Sequence, residues 1–104
     1  MERKLNISNF PEGQGIDKAT IQNLIERHYD KLSSRLHGEL LMDVHFKAYH
    51  KTGGREEIET KVKVVVAGFS FHADAREWSA EKSVKKALED IEKEAERALD
   101  RKKE

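Results

Sequence analysis

Histidine is the residue type in this sequence best suited to metal binding or acid–base chemistry, and five histidines occur among 104 residues. His45 and His50 differ by an odd number of positions along one predicted strand, so they face opposite sides of a sheet. His45 and His72 can share a face, but no third ligand is specified and a zinc site needs three or four. His28 lies in an apolar helical stripe, where we expect a core histidine with satisfied hydrogen bonds. We therefore predict no metal site.

Other residues that carry enzyme chemistry are equally sparse. The sequence contains no cysteine, which excludes a thiolate nucleophile and a cysteine-ligated zinc. Neither Gly13-Gln14-Gly15 nor Gly53-Gly54 has the spacing of a phosphate-binding loop. Nearly all carboxylates map to predicted exposed faces, where pKa shifts are weak. We expect a binding protein with no catalytic residues, no cofactor and no small-molecule substrate.

The chemistry that the sequence does favour is binding of phosphates by grouped cations. Twenty Lys and Arg residues balance twenty Asp and Glu residues, and a neutral chain is not typical of a simple nucleic-acid binder unless its charges are sorted in space. On helical wheels at 100° per residue, cations form one arc on each of two predicted helices. These candidate RNA-binding residues are Arg27, Lys31 and Arg35 on the first helix, and Lys82, Lys86, Lys93 and Arg97 on the second.

Two interpretations of these arcs stay open. Both arcs lie on the same hand of their apolar stripes, which predicts one basic surface across two helices. Such a surface suits the phosphate backbone of folded RNA, because neutralised phosphates release counterions without base reading. The alternative is a solvated face that is stabilised by i,i+4 pairs such as Glu89–Lys93.

Two helices must position these cations. The first is predicted from about Lys18 to His37, because Asp17 suits an N-cap and Gly38 suits a C-terminal stop. Its apolar stripe contains Ile21, Leu24, Ile25, His28, Leu32 and Leu36. The second is predicted to begin after Ser79, with residues 100–104 as a frayed tail. Its stripe contains Val84, Ala87, Leu88, Ile91, Ala95, Ala98 and Leu99.

Strands are predicted at Lys4–Ser8, Leu40–His50 and Glu57–Ala67, and from Phe69 to Arg76, because apolar and polar residues alternate there. The last three place one apolar set on the inner face of a sheet: Met42, Val44, Phe46, Ala48, Ile58, Thr60, Val62, Val64, Val66, Phe69, Phe71, Ala73 and Ala75. The opposite set is polar and is expected to be wet: Asp43, His45, Lys47, Tyr49, Glu59, Lys61, Lys63, Ser70, His72, Asp74 and Arg76.

This pattern predicts an α+β fold of order β-α-β-β-β-α in a single domain over 1–104. The first two strands are joined through a helix and are expected to be parallel, whereas the last three form an antiparallel meander. Each helix has one apolar stripe, so both are expected to pack on one face of a four-stranded mixed sheet. The topology is like that of double-stranded-RNA-binding domains with an extra first strand.

At the fourth strand the sequence resembles a known family. Phe71-His72-Ala73-Asp74-Ala75, followed by the amphipathic Lys/Glu-rich helix up to Leu99, is similar to the ribosome hibernation promoting factors, also called sigma-54 modulation proteins, in their short form. The stripe of Ile21, Leu24, Ile25 and Leu32 also fits, and Arg27 and Lys31 fall on family lysines. Ser79, Ala80 and Glu81 depart from the acidic, Met and Tyr residues that usually begin the family's second helix.

The resemblance implies a hibernation or translation-inhibition factor that occupies the mRNA and tRNA channel of the small ribosomal subunit and contacts rRNA. Two alternatives remain open: a stand-alone double-stranded-RNA binder, and a protein-interaction or assembly module that uses the polar sheet face. The sequence has no apolar run typical of a signal peptide or membrane span. We therefore expect a cytoplasmic protein, monomeric and not associated with a membrane.

Overall fold

The structure, a computed structural model, describes residues 3–12, 16–36, 38–50 and 56–102. The surroundings of the side chains at 50 and 100–102 are not among the described features. The elements are β1 (Lys4–Ser8), α1 (Lys18–Arg35), β2 (Leu40–His50), β3 (Glu56–Val66), β4 (Phe69–Glu77) and α2 (Ala80–Lys102). The predicted element order is confirmed. Residues 13–15 and 51–55 and the last two residues of the predicted tail lie outside the described residues.

The four strands form one mixed sheet in the order β1-β2-β3-β4. β1 pairs with β2 in parallel, and β2, β3 and β4 pair antiparallel, as predicted. Ala67 and Gly68 join β3 to β4 with φ angles of 47° and 84°. Positive φ at both central residues matches the twist of a two-residue hairpin. Ala67, predicted as the last residue of the third strand, therefore lies in the turn with Gly68, and β3 ends at Val66.

Both helices begin at the predicted caps. Asp17 accepts hydrogen bonds from the backbone N–H of Thr20 at 3.2 Å and from its hydroxyl at 2.7 Å, and these bonds hold the pKa of Asp17 below its usual value. Ser79 Oγ accepts from the Lys82 N–H at 3.4 Å.

The predicted end of the first helix needs correction. α1 ends at Arg35 rather than near His37, since Leu36 adopts an extended conformation and places its side chain in the core, 7% exposed. α2 spans Ala80–Lys102, and the frayed tail at 100–104 stays a prediction.

The core lies between the helices and the inner face of the sheet. Its buried side chains follow the predicted stripes of both helices and the predicted inner positions of the strands. Burial of this apolar surface is the main term that stabilises the fold. Ala48 is the exception: it is exposed near the end of β2, although its position in the alternation predicted burial.

Two buried hydroxyl groups within the core were not predicted. Tyr29, only 6% exposed, donates to the Leu40 carbonyl at 2.9 Å and accepts from the Lys4 N–H at 3.0 Å. Ser83, fully buried on α2, lies 2.8 Å from Thr60 Oγ1 and 2.9 Å from the Ala75 carbonyl. Because buried polar groups are costly unless hydrogen-bonded, these contacts fix how each helix sits on the sheet.

Candidate nucleic-acid interface

The cations of α2 that the sequence singled out lie along an exposed flank of this helix. Lys82, Lys86, Lys93 and Arg97 are all exposed, with side-chain exposure of 59% for Lys86 and 64% for Arg97. Lys86 Nζ lies 3.8 Å from Glu77, and Arg97 Nη1 lies 3.0 Å from Glu94. Lys82 and Lys93 form no ion pair with any described residue. These pairs are exposed and therefore weak, so the flank presents cations that a phosphate can reach.

The cations of α1 lie in different surroundings. Lys31 Nζ is 3.5 Å from Glu92 Oε2, and Arg35 Nη1 is 3.1 Å from Glu96 Oε1, both carboxylates belonging to α2. Arg27 is exposed and forms no ion pair within the part of the chain that the structure describes. Two of the three predicted α1 residues therefore lie at the junction of the two helices, opposite acidic side chains.

The direction of the helices explains this placement. His28 and Lys31 contact Glu92, while Arg35 contacts Glu96, so residue numbers rise together along both helices and α1 and α2 run parallel. On both helices the cations lie to the same side of the apolar stripe and the carboxylates lie to the other side. When two such helices pack in parallel, the basic side of one faces the acidic side of the other. The sequence identified the shared handedness, and what it missed was that this handedness brings Glu92 and Glu96 to Lys31 and Arg35.

Glu92 is the central residue of this junction. His28 Nδ1 donates to Glu92 Oε1 at 2.7 Å, and both side chains are 16% exposed. The ring nitrogen must carry the proton, because a carboxylate only accepts. His28 is thus a partly buried histidine with a satisfied hydrogen bond, located at the helix–helix contact.

The outer face of the sheet carries charge of both signs. Across β2, β3 and β4, one row runs His45, Lys61, Asp74 and the next runs Asp43, Lys63, His72. These six residues line a shallow groove. His45 Nδ1 lies 2.9 Å from Ser8 Oγ. Because cations and carboxylates alternate, this groove concentrates no single sign of charge. Among the described residues, no group of three or more possible ligands is placed to hold a metal ion.

Glu59 corrects the prediction of a uniformly wet outer face. Its side chain is 5% exposed, covered by Tyr49 and Arg76. The Tyr49 hydroxyl donates to Oε1 at 3.0 Å, Arg76 Nε donates to Oε2 at 3.3 Å, and the Arg76 guanidinium lies 4.1 Å from the Tyr49 ring centroid. The Glu59–Tyr49–Arg76 cluster, defined by these three residues, buries a carboxylate by satisfying its oxygens.

The ionisation of Glu59 is linked to that of Asp74. Burial opposes ionisation of Glu59, but hydrogen bonds from Asp74, Tyr49 and Arg76 outweigh it and lower the pKa of Glu59. For Asp74, desolvation and the hydrogen bond to Glu59 raise the pKa. The pKa of Arg76 is raised, chiefly by its hydrogen bond to Glu59. When this pair binds a single proton, Asp74 therefore binds it in preference to Glu59.

Comparison with known proteins identifies the fold class first. No protein-family model matches this sequence, and no curated protein matches it. Among solved structures, two similar chains share the four-stranded sheet and two helices of this fold. The chain is similar to the N-terminal domain of Protein Y from Thermus thermophilus, with a TM-score of 0.64, 17% sequence identity and coverage of 93% of this chain and 98% of that one.

A second similar structure is a ribosomal subunit interface protein from Coxiella burnetii, with a TM-score of 0.50, 15% sequence identity and coverage of 95% and 98%. Both matches extend over nearly the whole of each chain, so the fold implied by the sequence resemblance is confirmed. Neither helix has, within its described residues, an apolar stretch that is long enough to cross a membrane.

Proposed function

We propose that this protein binds the small ribosomal subunit through rRNA and inhibits translation by occupying the mRNA and tRNA channel. The fold-wide match to two bacterial structures, one of them described as a ribosomal subunit interface protein, carries the proposal. The proposal includes a cytoplasmic location and a steric mechanism that requires no catalytic group.

The exposed flank of α2 supplies the physical basis for RNA binding. Four exposed cations recur at helical spacing along this flank: Lys82, Lys86, Lys93 and Arg97. Because their side chains are already exposed, each can approach a phosphate at little desolvation cost. Arg27, Lys31 and Arg35 extend the proposed site onto α1. RNA helices are recognised mainly through shape and backbone, which suits a surface of exposed cations.

Co-sedimentation with small ribosomal subunits tests the proposal. The double charge reversal Lys86→Glu and Lys93→Glu is expected to weaken binding at least about tenfold and to lower the slope of log K against log salt by about 2, one phosphate contact for each residue. The matched control is Lys61→Glu with Lys63→Glu, which changes the net charge equally on the outer sheet face. In vitro translation with titrated protein reports inhibition directly.

The same pair of variants tests the main alternative. The Glu59–Tyr49–Arg76 cluster gives the outer sheet face a pre-organised feature, which favours a protein-interaction module as the second candidate function. If the Lys61/Lys63 variant releases the protein from its partner and the Lys86/Lys93 variant does not, the helix surface is not the binding site. A stand-alone duplex-RNA binder of the kind considered above lacks the first strand, whereas β1 here is paired along its length with β2.

A further inference from the structure

The helix junction contains acidic side chains where the proposed RNA-binding surface needs cations to be available. Glu92 and Glu96 of α2 lie 3.5 Å and 3.1 Å from the cationic groups of Lys31 and Arg35. The two cations are half exposed, at 52% and 44% of their side chains, so a phosphate can reach them from solvent. Each carboxylate therefore places a negative charge beside the same cation that a bound phosphate would contact.

The two carboxylates differ in their freedom to move aside. Glu92 is 16% exposed and is anchored by the 2.7 Å hydrogen bond from His28, so it remains beside Lys31 when another anion approaches. Glu96 is 61% exposed, and among the described residues it forms an ion pair with Arg35. An exposed pair of this kind is worth little and exchanges readily. A phosphate can therefore displace Glu96, but it must share Lys31 with Glu92.

From this arrangement we propose that Glu92 and Glu96 are specificity-determining residues, which lower the affinity of the helix surface for RNA phosphates in general. This inference rests on the proposed function and names how its site is restrained. Since Lys31 and Arg35 are already compensated internally, an RNA gains little from them alone. Strong binding then requires a backbone that also reaches the α2 flank of Lys82, Lys86, Lys93 and Arg97.

The test replaces both carboxylates by their uncharged isosteres. Glu92→Gln with Glu96→Gln is compared with Glu81→Gln and Glu89→Gln, two exposed acidic residues of α2 that form no ion pair with the described residues. Both double variants change the net charge by the same amount, so the general electrostatic effect cancels. The probes are a duplex RNA of arbitrary sequence and purified small ribosomal subunits, with fluorescence anisotropy and co-sedimentation as readouts.

The Glu92/Glu96 variant is expected to bind the arbitrary duplex about five- to tenfold more tightly than the Glu81/Glu89 control, the size expected for releasing one exposed and one partly buried ion pair. Its gain on the small subunit is expected to be smaller, so the ratio of the two affinities falls. Equal affinity of the two double variants for the duplex overturns the inference.

The outcomes also separate this inference from the proposed function. If wild-type protein binds small subunits but the two double variants are equivalent, the inference alone fails. If neither wild type nor variant binds subunits or RNA, the proposed function fails. Glu96→Gln alone leaves the hydrogen bond between His28 and Glu92 in place. A twofold or greater gain in RNA affinity from this variant, with an unchanged thermal unfolding curve, supports the inference independently of any effect on folding. No gain from Glu96→Gln contradicts the assignment of Glu96.

Discussion

The inner and outer faces of the sheet are built from the same three antiparallel strands but are held together in different ways. On the inner face, Met42, Val44, Val62 and Val64 are each at most 2% exposed and belong to the hydrophobic core. On the outer face, neighbouring positions carry charges, and Glu59 is buried because Tyr49 and Arg76 form hydrogen bonds with its carboxylate. Side chains on the inner face are buried because they are apolar, whereas Glu59 on the outer face is buried because neighbouring side chains donate hydrogen bonds to it.

This difference has an energetic consequence. Apolar burial stabilises in proportion to the area removed from water, so an inner side chain contributes without needing one particular partner. A buried carboxylate costs free energy unless all of its partners are present, so the outer cluster acts as a unit. Substitutions on the two faces should therefore differ both in size and in additivity.

Leu40 and Leu41, adjacent on β2, give the largest expected contrast. Leu40 is 2% exposed and points into the core, whereas Leu41 is 45% exposed on the outer face. Leu40→Ala is expected to lower the free energy of unfolding by about 2–5 kcal/mol, through lost burial and a residual cavity. Leu41→Ala, the matched control, should change it by no more than about 0.5 kcal/mol. Chemical denaturation measures both; similar losses for the two variants would show that the faces are not distinct.

Glu59 gives the next largest effect and tests whether the outer face is stabilised at all. Glu59→Ala removes the acceptor for the Tyr49 hydroxyl and for Arg76 Nε, and is expected to cost about 1–3 kcal/mol. Lys61→Ala, at the next outward position of the same strand, should fall within about 0.5 kcal/mol of wild type. If Glu59→Ala is as mild as Lys61→Ala, the burial of Glu59 contributes nothing to stability.

The sequence predicted the inner face well and the outer face poorly for the same physical reason. Alternation of apolar and polar residues identifies which face meets the helices, and the caps at Asp17 and Ser79 are local signals that need no tertiary information. Burial of Glu59 depends on residues of two neighbouring strands, Tyr49 of β2 and Asp74 and Arg76 of β4, whose register no local pattern reveals. The prediction for Ala48 is wrong in the opposite direction: burial was predicted, but the residue is exposed. Alternation does not indicate where along a strand the covering layer of the protein ends.

The candidate site shows the same limit. Helical periodicity located the cations of both helices and their common handedness, which depend on one helix at a time. Pairing of Lys31 with Glu92 and of Arg35 with Glu96 depends on the parallel packing of α1 against α2. These ion pairs follow once the predicted topology is combined with the side of each helix that carries the cations, because parallel helices with cations on the same side place unlike charges together.

The pH dependence of stability gives the smallest expected effect and examines the outer face alone. The folded state raises the pKa of Asp74 above its ordinary value of 3.8, so the folded protein binds this proton more tightly than the unfolded chain does. Stability from Asp74 is therefore present at low pH and is lost as the pH rises from about 3.8 through the raised pKa. Glu59 has the opposite sign, because its pKa is lowered from 4.5 and its contribution is lost as the pH falls below that value.

Asp74→Asn separates the two contributions, since the Asn amide can donate to Glu59 as protonated Asp74 does but cannot lose its proton. At pH 7 the variant is expected to be more stable than wild type by about 0.3–1 kcal/mol, a small gain because Asp74 is exposed and solvent screens its charge. The advantage should vanish near pH 3.5, where wild-type Asp74 is itself protonated. Asp43→Asn, on the same face, is the matched control. Urea unfolding between pH 3.5 and 7.5 measures the difference, and a constant offset between variant and wild type would mean that the proton does not reside on Asp74.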